Sequence, residues 1–107
     1  MDILQPDLAI AGGITETLRI AALAAAHGFT VAPHLWGGAV LFAVGLHFAF
    51  STPCVTAVEF TRGENPLLHE LVEERVELAD GFVLAPDRPG LGLTLRRDYA
   101  RSITRQV

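Results

Sequence analysis

Asp7, His34 and Glu59 are the residues of this 107-residue chain whose types and spacing suit chemistry best. Each stands where a short apolar, β-branched segment ends. In a parallel α/β sheet, reactive groups gather beyond the carboxyl ends of the strands. Adjacent parallel strands lie about 4.8 Å apart, so Asp7 and His34 on neighbouring strands are expected within hydrogen-bond reach. A carboxylate that holds one ring nitrogen fixes the tautomer and leaves the other nitrogen facing a substrate. A histidine held this way takes or gives a proton near neutral pH. The same spacing also admits a plain structural reading, in which Asp7 caps the following turn and His34 is a satisfied polar residue at a strand end.

The elements that must position these residues follow from pattern. The run at 3–5, closed by Pro6, suits a buried parallel strand. After Gly12 and Gly13, an alanine-rich stretch predicts a helix over 14–27, with Gly28 as its left-handed cap. Residues 29–33 have strand character, and a helix is expected from about 38 to 50. "TAVEF", 56–60, completes a β-α-β-α-β alternation, which implies parallel strands with right-handed crossovers. Beyond it, "NPLLHELVEE" (65–74) predicts a short helix with proline near its start. "VELADGFVLAP" (76–86) predicts a hairpin about Asp80-Gly81, and "RRDYARSITR" (96–105) a terminal helix.

Several function classes fall away. A net charge of −4 and a pI of about 5.4 argue against a nucleic-acid binder that works by phosphate neutralisation. The basic cluster Arg96, Arg97, Arg101 and Arg105 reads as the solvated face of a helix. The most hydrophobic stretch, 39–50, falls short of the roughly 20 residues of a membrane span and contains Gly45 and His47. No signal peptide is visible, and a soluble, cytoplasmic protein without a membrane partner is expected. The lone Cys54 reads as a packing group. His27, His47 and His69 show no ligand-like spacing. "AIAGGITE" lacks the G-x-G-x-x-G spacing of a dinucleotide turn, and no G-x-S-x-G elbow surrounds Ser51 or Ser102.

Taken together, "QPD", "AGGITE", "PHLW" and "AVEF" resemble the enolase superfamily, specifically the C-terminal barrel region of its mandelate racemase-like members. The resemblance covers essentially the whole chain. It implies an α/β partial TIM barrel, with the last three strands and their helices at 1–62 and a hairpin and helix tail at 63–107 that packs toward a capping domain. It also implies roles. Asp7 and His34 would form the catalytic dyad, and Glu59 would hydrogen-bond a substrate carboxylate oxygen as an enolate develops. Family chemistry is proton abstraction next to a carboxylate, with magnesium stabilising the enediolate. The histidine argues against muconate-lactonising members, which carry a lysine in this half of the barrel, and this chain has none.

The family's metal ligands and its lysine base lie on strands with no counterpart here, since a complete barrel takes about 250 residues. The expectation is therefore the C-terminal fragment of an acid-sugar dehydratase acting on a small carboxylate, inactive alone and binding no cofactor itself. A racemase or epimerase of a 2-hydroxy acid is the alternative within the enzyme class, and a non-catalytic, self-associating α/β module is the alternative outside it. Self-association is expected because unpaired strand edges are templates for another chain. Ile3, Leu4, Phe29, Val31, Val58, Phe60 and part of the 39–50 helix are the apolar groups expected to lie open.

Overall fold

The structure, a computed structural model, describes residues 2–76 and 78–104. Its elements in chain order are β1 (Ile3–Leu4), α1 (Gly13–Ala26), β2 (Thr30–Val31), α2 (Ala39–Ser51), α3 (Pro66–His69), β3 (Leu78–Ala79), β4 (Phe82–Val83) and α4 (Arg97–Ile103). β1 and β2 pair in parallel, Ile3 opposite Thr30 and Leu4 opposite Val31. The pairing resumes as a parallel bridge between Asp7 and His34, and a further parallel bridge joins Val31 to Val55. β2 is thus the middle of three parallel segments.

The strands are short because prolines cut the ladders. Ala32 N–H donates to Leu4 O (2.9 Å) and His34 N–H to Pro6 O (3.1 Å), but Pro6 has no N–H to return. On the other side, Val31 N–H donates to Cys54 O (2.8 Å) and Val31 O accepts Thr56 N–H (3.1 Å). The next donor in that ladder would be Pro33, which has none. This corrects the expected third strand at 56–60. Its pairing with β2 is confined to the bridge at Val55, and 56–60 run on without strand structure.

α1 forms where its alanines predict, and its end is a Schellman cap. Gly28 adopts φ 72°, its N–H donates to Ala25 O, and Phe29 N–H donates to Ala24 O. α2 packs across the same layer. Gly45 in its middle is required by packing, since a Cβ there would overlap the side chain of Leu35. The core gathers Leu8, Ala21, Ala24, Val31, Leu35, Phe42, Leu46, Phe48 and Leu68. Val31 is fully buried as the residue paired on both sides, which corrects its expected exposure. Phe60 is half-buried, edge-on to Phe42 at 5.4 Å between ring centroids. The half-buried Cys54 lies with its Sγ 3.5 Å from Ala21 O.

The expected helix over 65–74 forms only its first turn, α3. Beyond it, tertiary pairing takes the backbone: Arg96 N–H donates to Leu71 O (2.9 Å) and Glu73 N–H to Thr94 O (3.0 Å). Glu74 fastens the same contact by accepting from Thr94 N–H, Thr94 Oγ1 and Arg88 Nη1. These hydrogen bonds, with that of Thr94 N–H foremost, hold its carboxyl below the usual glutamate range. β3 and β4 pair antiparallel about Asp80-Gly81, both at positive φ, as the hairpin pattern predicts. Glu77 in the predicted hairpin and Arg105 in the predicted terminal helix lie outside the described residues. No described helix is long and apolar enough to cross a membrane.

Candidate functional site

Asp7 performs both tasks that the sequence leaves open. Its Oδ1 accepts from the N–H groups of Ala9 (2.7 Å) and Ile10 (3.2 Å), an Asx turn that ends β1 and starts the climb to α1. Its Oδ2 lies 2.7 Å from His34 Nδ1. The two residues face each other across a parallel bridge, so the backbone itself brings the side chains together. The carboxylate is the sheltered partner, with 10% of its side chain exposed against 41% for the imidazole.

Burial pushes the Asp7 carboxyl up, but the hydrogen bonds from His34, Ala9 and Ile10 outweigh it and leave it below the usual aspartate range. The hydrogen bond to Asp7 raises His34 above its ordinary value; burial opposes this, and the charges of Glu59 and Asp7 add to the rise. Asp7 is therefore ionised at neutral pH and accepts, which assigns the Nδ1 proton to His34. Nε2 is then free to exchange a proton with a third molecule. It points toward Glu59, whose Oε2 is 3.9 Å away, beyond hydrogen-bond distance. That Oε2 is buried and lacks a hydrogen-bond partner among the described residues.

All three expected residues thus meet at one edge of the parallel segments. Sequence reading missed Asn65. Its side chain donates from Nδ2 to Gly37 O at 2.9 Å and its Oδ1 accepts from Leu68 N–H at 3.2 Å. The Asn-Pro pair signals the helix start, but nothing in the sequence points to Gly37. A cleft of about 470 Å³ lies elsewhere, between α2 and the tail, and none of Asp7, His34 and Glu59 lines it. Those three side chains stand at the open strand ends instead.

Among the described residues, no three His, Cys, Asp or Glu side chains gather to hold a metal ion. A hard cation such as magnesium needs several converging oxygens. The described residues do not form such a site by themselves.

Residues 1–99 match the family described as enolase C-terminal domain-like. Among curated proteins, the chain is 40% identical to a D-galactarolactone cycloisomerase of Agrobacterium fabrum, over 92% of this chain and 28% of that protein. It is 34% identical to an arabinonate dehydratase of Saccharolobus solfataricus, over 90% of this chain and 26% of that protein. Among solved structures, it matches a mandelate racemase/muconate lactonizing enzyme from Jannaschia sp. CCS1 with a TM-score of 0.85 and 44% identity. That match covers 98% of this chain and 27% of the other. The chain therefore spans little more than a quarter of the length of the proteins it matches.

Proposed function

The chain belongs to the enolase C-terminal domain-like family, in the mandelate racemase-like part of the enolase superfamily, and from that premise we propose that it supplies the histidine side of an acid-sugar dehydratase active site. Its fold is α/β, the C-terminal part of the superfamily's TIM barrel. In this reading 1–62 are the last three strands with their helices, and 63–107 are the tail that packs toward a capping domain. The observation that carries the proposal is the 2.7 Å contact between Asp7 Oδ2 and His34 Nδ1 at the open strand ends.

The residues divide the work as follows. Protonated His34 gives its Nε2 proton to the hydroxyl leaving the β-carbon of the sugar acid, so that water departs while the α-carbon loses its proton to a base outside this chain. Asp7 holds the ring in place and stabilises the imidazolium that precedes transfer. Glu59 meets a carboxylate oxygen of the substrate as the enolate develops. Magnesium, if bound in the complete site, would supply stabilisation of negative charge on the substrate carboxylate, and the described residues gather no ligand set for it.

The 40% identity to a cycloisomerase supports a second reading, in which the same dyad moves a proton during isomerisation of a sugar lactone. A chimera decides between them. Residues 1–99 replace the matching segment of the Agrobacterium cycloisomerase, and the product is read by mass spectrometry on a panel of acid sugars and lactones. Loss of one water, abolished by His34→Asn, supports dehydration. An isomer of unchanged mass supports the second reading. Turnover that survives His34→Asn overturns both.

A further inference from the structure

We propose that Asn65 is a positioning residue that clamps the loop carrying His34 against the segment carrying Glu59 and so sets the spacing of the two side chains. This role rests on the reading of His34 and Glu59 as site residues, and it concerns how they are held.

Asn65 is half-buried and works with both ends of its side chain. Oδ1 caps α3 through Leu68 N–H, while Nδ2 reaches 28 residues back to Gly37 O, three positions after His34. The cap needs only an acceptor, so the donor is the part that N-capping leaves unexplained. Three other observations place α3 against one or the other of these segments. A Cβ on Gly38 would stand 3.3 Å from both Cβ and O of Leu67, so the loop lies directly on α3. Trp36 and Gly37 line a cleft of about 280 Å³ together with Thr61, Glu64 and Leu67. Phe60, the neighbour of Glu59, packs edge-on to His69 at 6.4 Å and to Phe42 at 5.4 Å. α3 thus touches both the His34 loop, through Leu67, and the Glu59 segment, through His69. No strand ladder does this job, because pairing between β2 and the third segment stops at Thr56, short of Glu59. The 3.9 Å separation of His34 Nε2 and Glu59 Oε2 is therefore left to side-chain contacts.

Asn65→Ser separates the two functions. Serine still accepts from Leu68 N–H, and it is too short to reach Gly37 and carries no charge. The readout is the NMR titration of the His34 ring nitrogens in the 107-residue chain, with and without Glu59→Gln. The charged groups facing the ring are Asp7 and Glu59, and the charge of Glu59 raises the His34 midpoint. Glu59→Gln is expected to lower that midpoint in the wild-type background and to lower it by less than half as much beside Asn65→Ser. The Leu68 amide should keep its exchange rate. An undiminished Glu59→Gln shift beside Asn65→Ser overturns the proposal, as does the absence of any shift in the wild-type background. If Asn65→Ser does not fold, Gly38→Ala forces the same contact apart from the loop side and is held to the same criterion. None of these readings depends on turnover. A chimera whose activity ignores His34→Asn would sink the catalytic assignment and leave the clamp standing.

Discussion

At the level of single residues, the Asp7–His34 pair makes the chain's stability depend on pH in a defined way. The folded-state value of His34 is raised, so its contribution is complete below the unfolded value and is lost as pH rises through the higher folded one. That of Asp7 is lowered, so its contribution is complete above the unfolded value and is lost as pH falls through the lower folded one. Both are at full strength between roughly pH 4 and 6.5, the unfolded values of the two groups. Urea unfolding at a series of pH values is expected to show the wild type most stable relative to His34→Gln in that window, with the difference shrinking on either side. A difference that stays flat from pH 4 to 9 would mean the pair is not linked to folding. In the active chimera, His34→Asn and Asp7→Asn should each lower kcat by about 10²–10⁴-fold, the usual worth of a positioned acid or base. The double variant should be little slower than His34→Asn alone, because the two act as one unit. Additive losses measured under saturating substrate would separate their roles.

Among the elements, α2 offers the sharpest test. Gly45→Ala improves helix propensity by about 1 kcal/mol, yet its methyl group meets Leu35, and overpacking of this kind costs about 1–3 kcal/mol. A net loss of up to about 2 kcal/mol is expected by chemical denaturation, and Leu35→Ala should turn the same substitution toward neutral. The helices α1 and α2 were legible in the sequence because alanine content, glycine caps and long apolar runs are local signals. So was the Asp80-Gly81 hairpin, where two residues at positive φ write their own turn. The third strand and the second half of the 65–74 helix were not legible. The first depends on an N–H that Pro33 cannot give to a neighbour more than twenty residues away. The second was lost to pairing with Thr94 and Arg96, a partner that local pattern does not reveal. The Asp7–His34 contact was legible as one of two readings of the spacing, whereas the simultaneous use of Asp7 in an Asx turn emerged only in the fold.

For the molecule as a whole, the open surface is the governing feature. β1 has β2 on one side and no partner strand on the other among the described residues. Ile3, Ile10, Ile14 and Leu18 are each at least 44% exposed, and the last two stand one turn apart on α1. Full cover of one such side chain is worth about 1.5–3 kcal/mol. A second copy of the chain is the expected cover for the 107-residue protein in solution. Light scattering over a dilution series should report a dimer or larger species that dissociates on dilution, and Ile10→Lys with Ile14→Lys should shift it toward monomer. A folded species that stays monomeric at high concentration would contradict self-association.

The hydrogen bond between Asp7 and His34 spans 27 positions of sequence, and that interval holds the whole of α1. A helix of this length forms within about a microsecond, whereas parallel pairing must first meet the entropy of closing the loop. The Asp7–His34 contact is consequently a late acquisition in the history of each newly made chain, because it exists only once the crossover has closed. In a pH-jump refolding experiment, helical signal should return before the shifted titration of His34 does. The imidazole is then a clock hand for the folding of the α1 crossover.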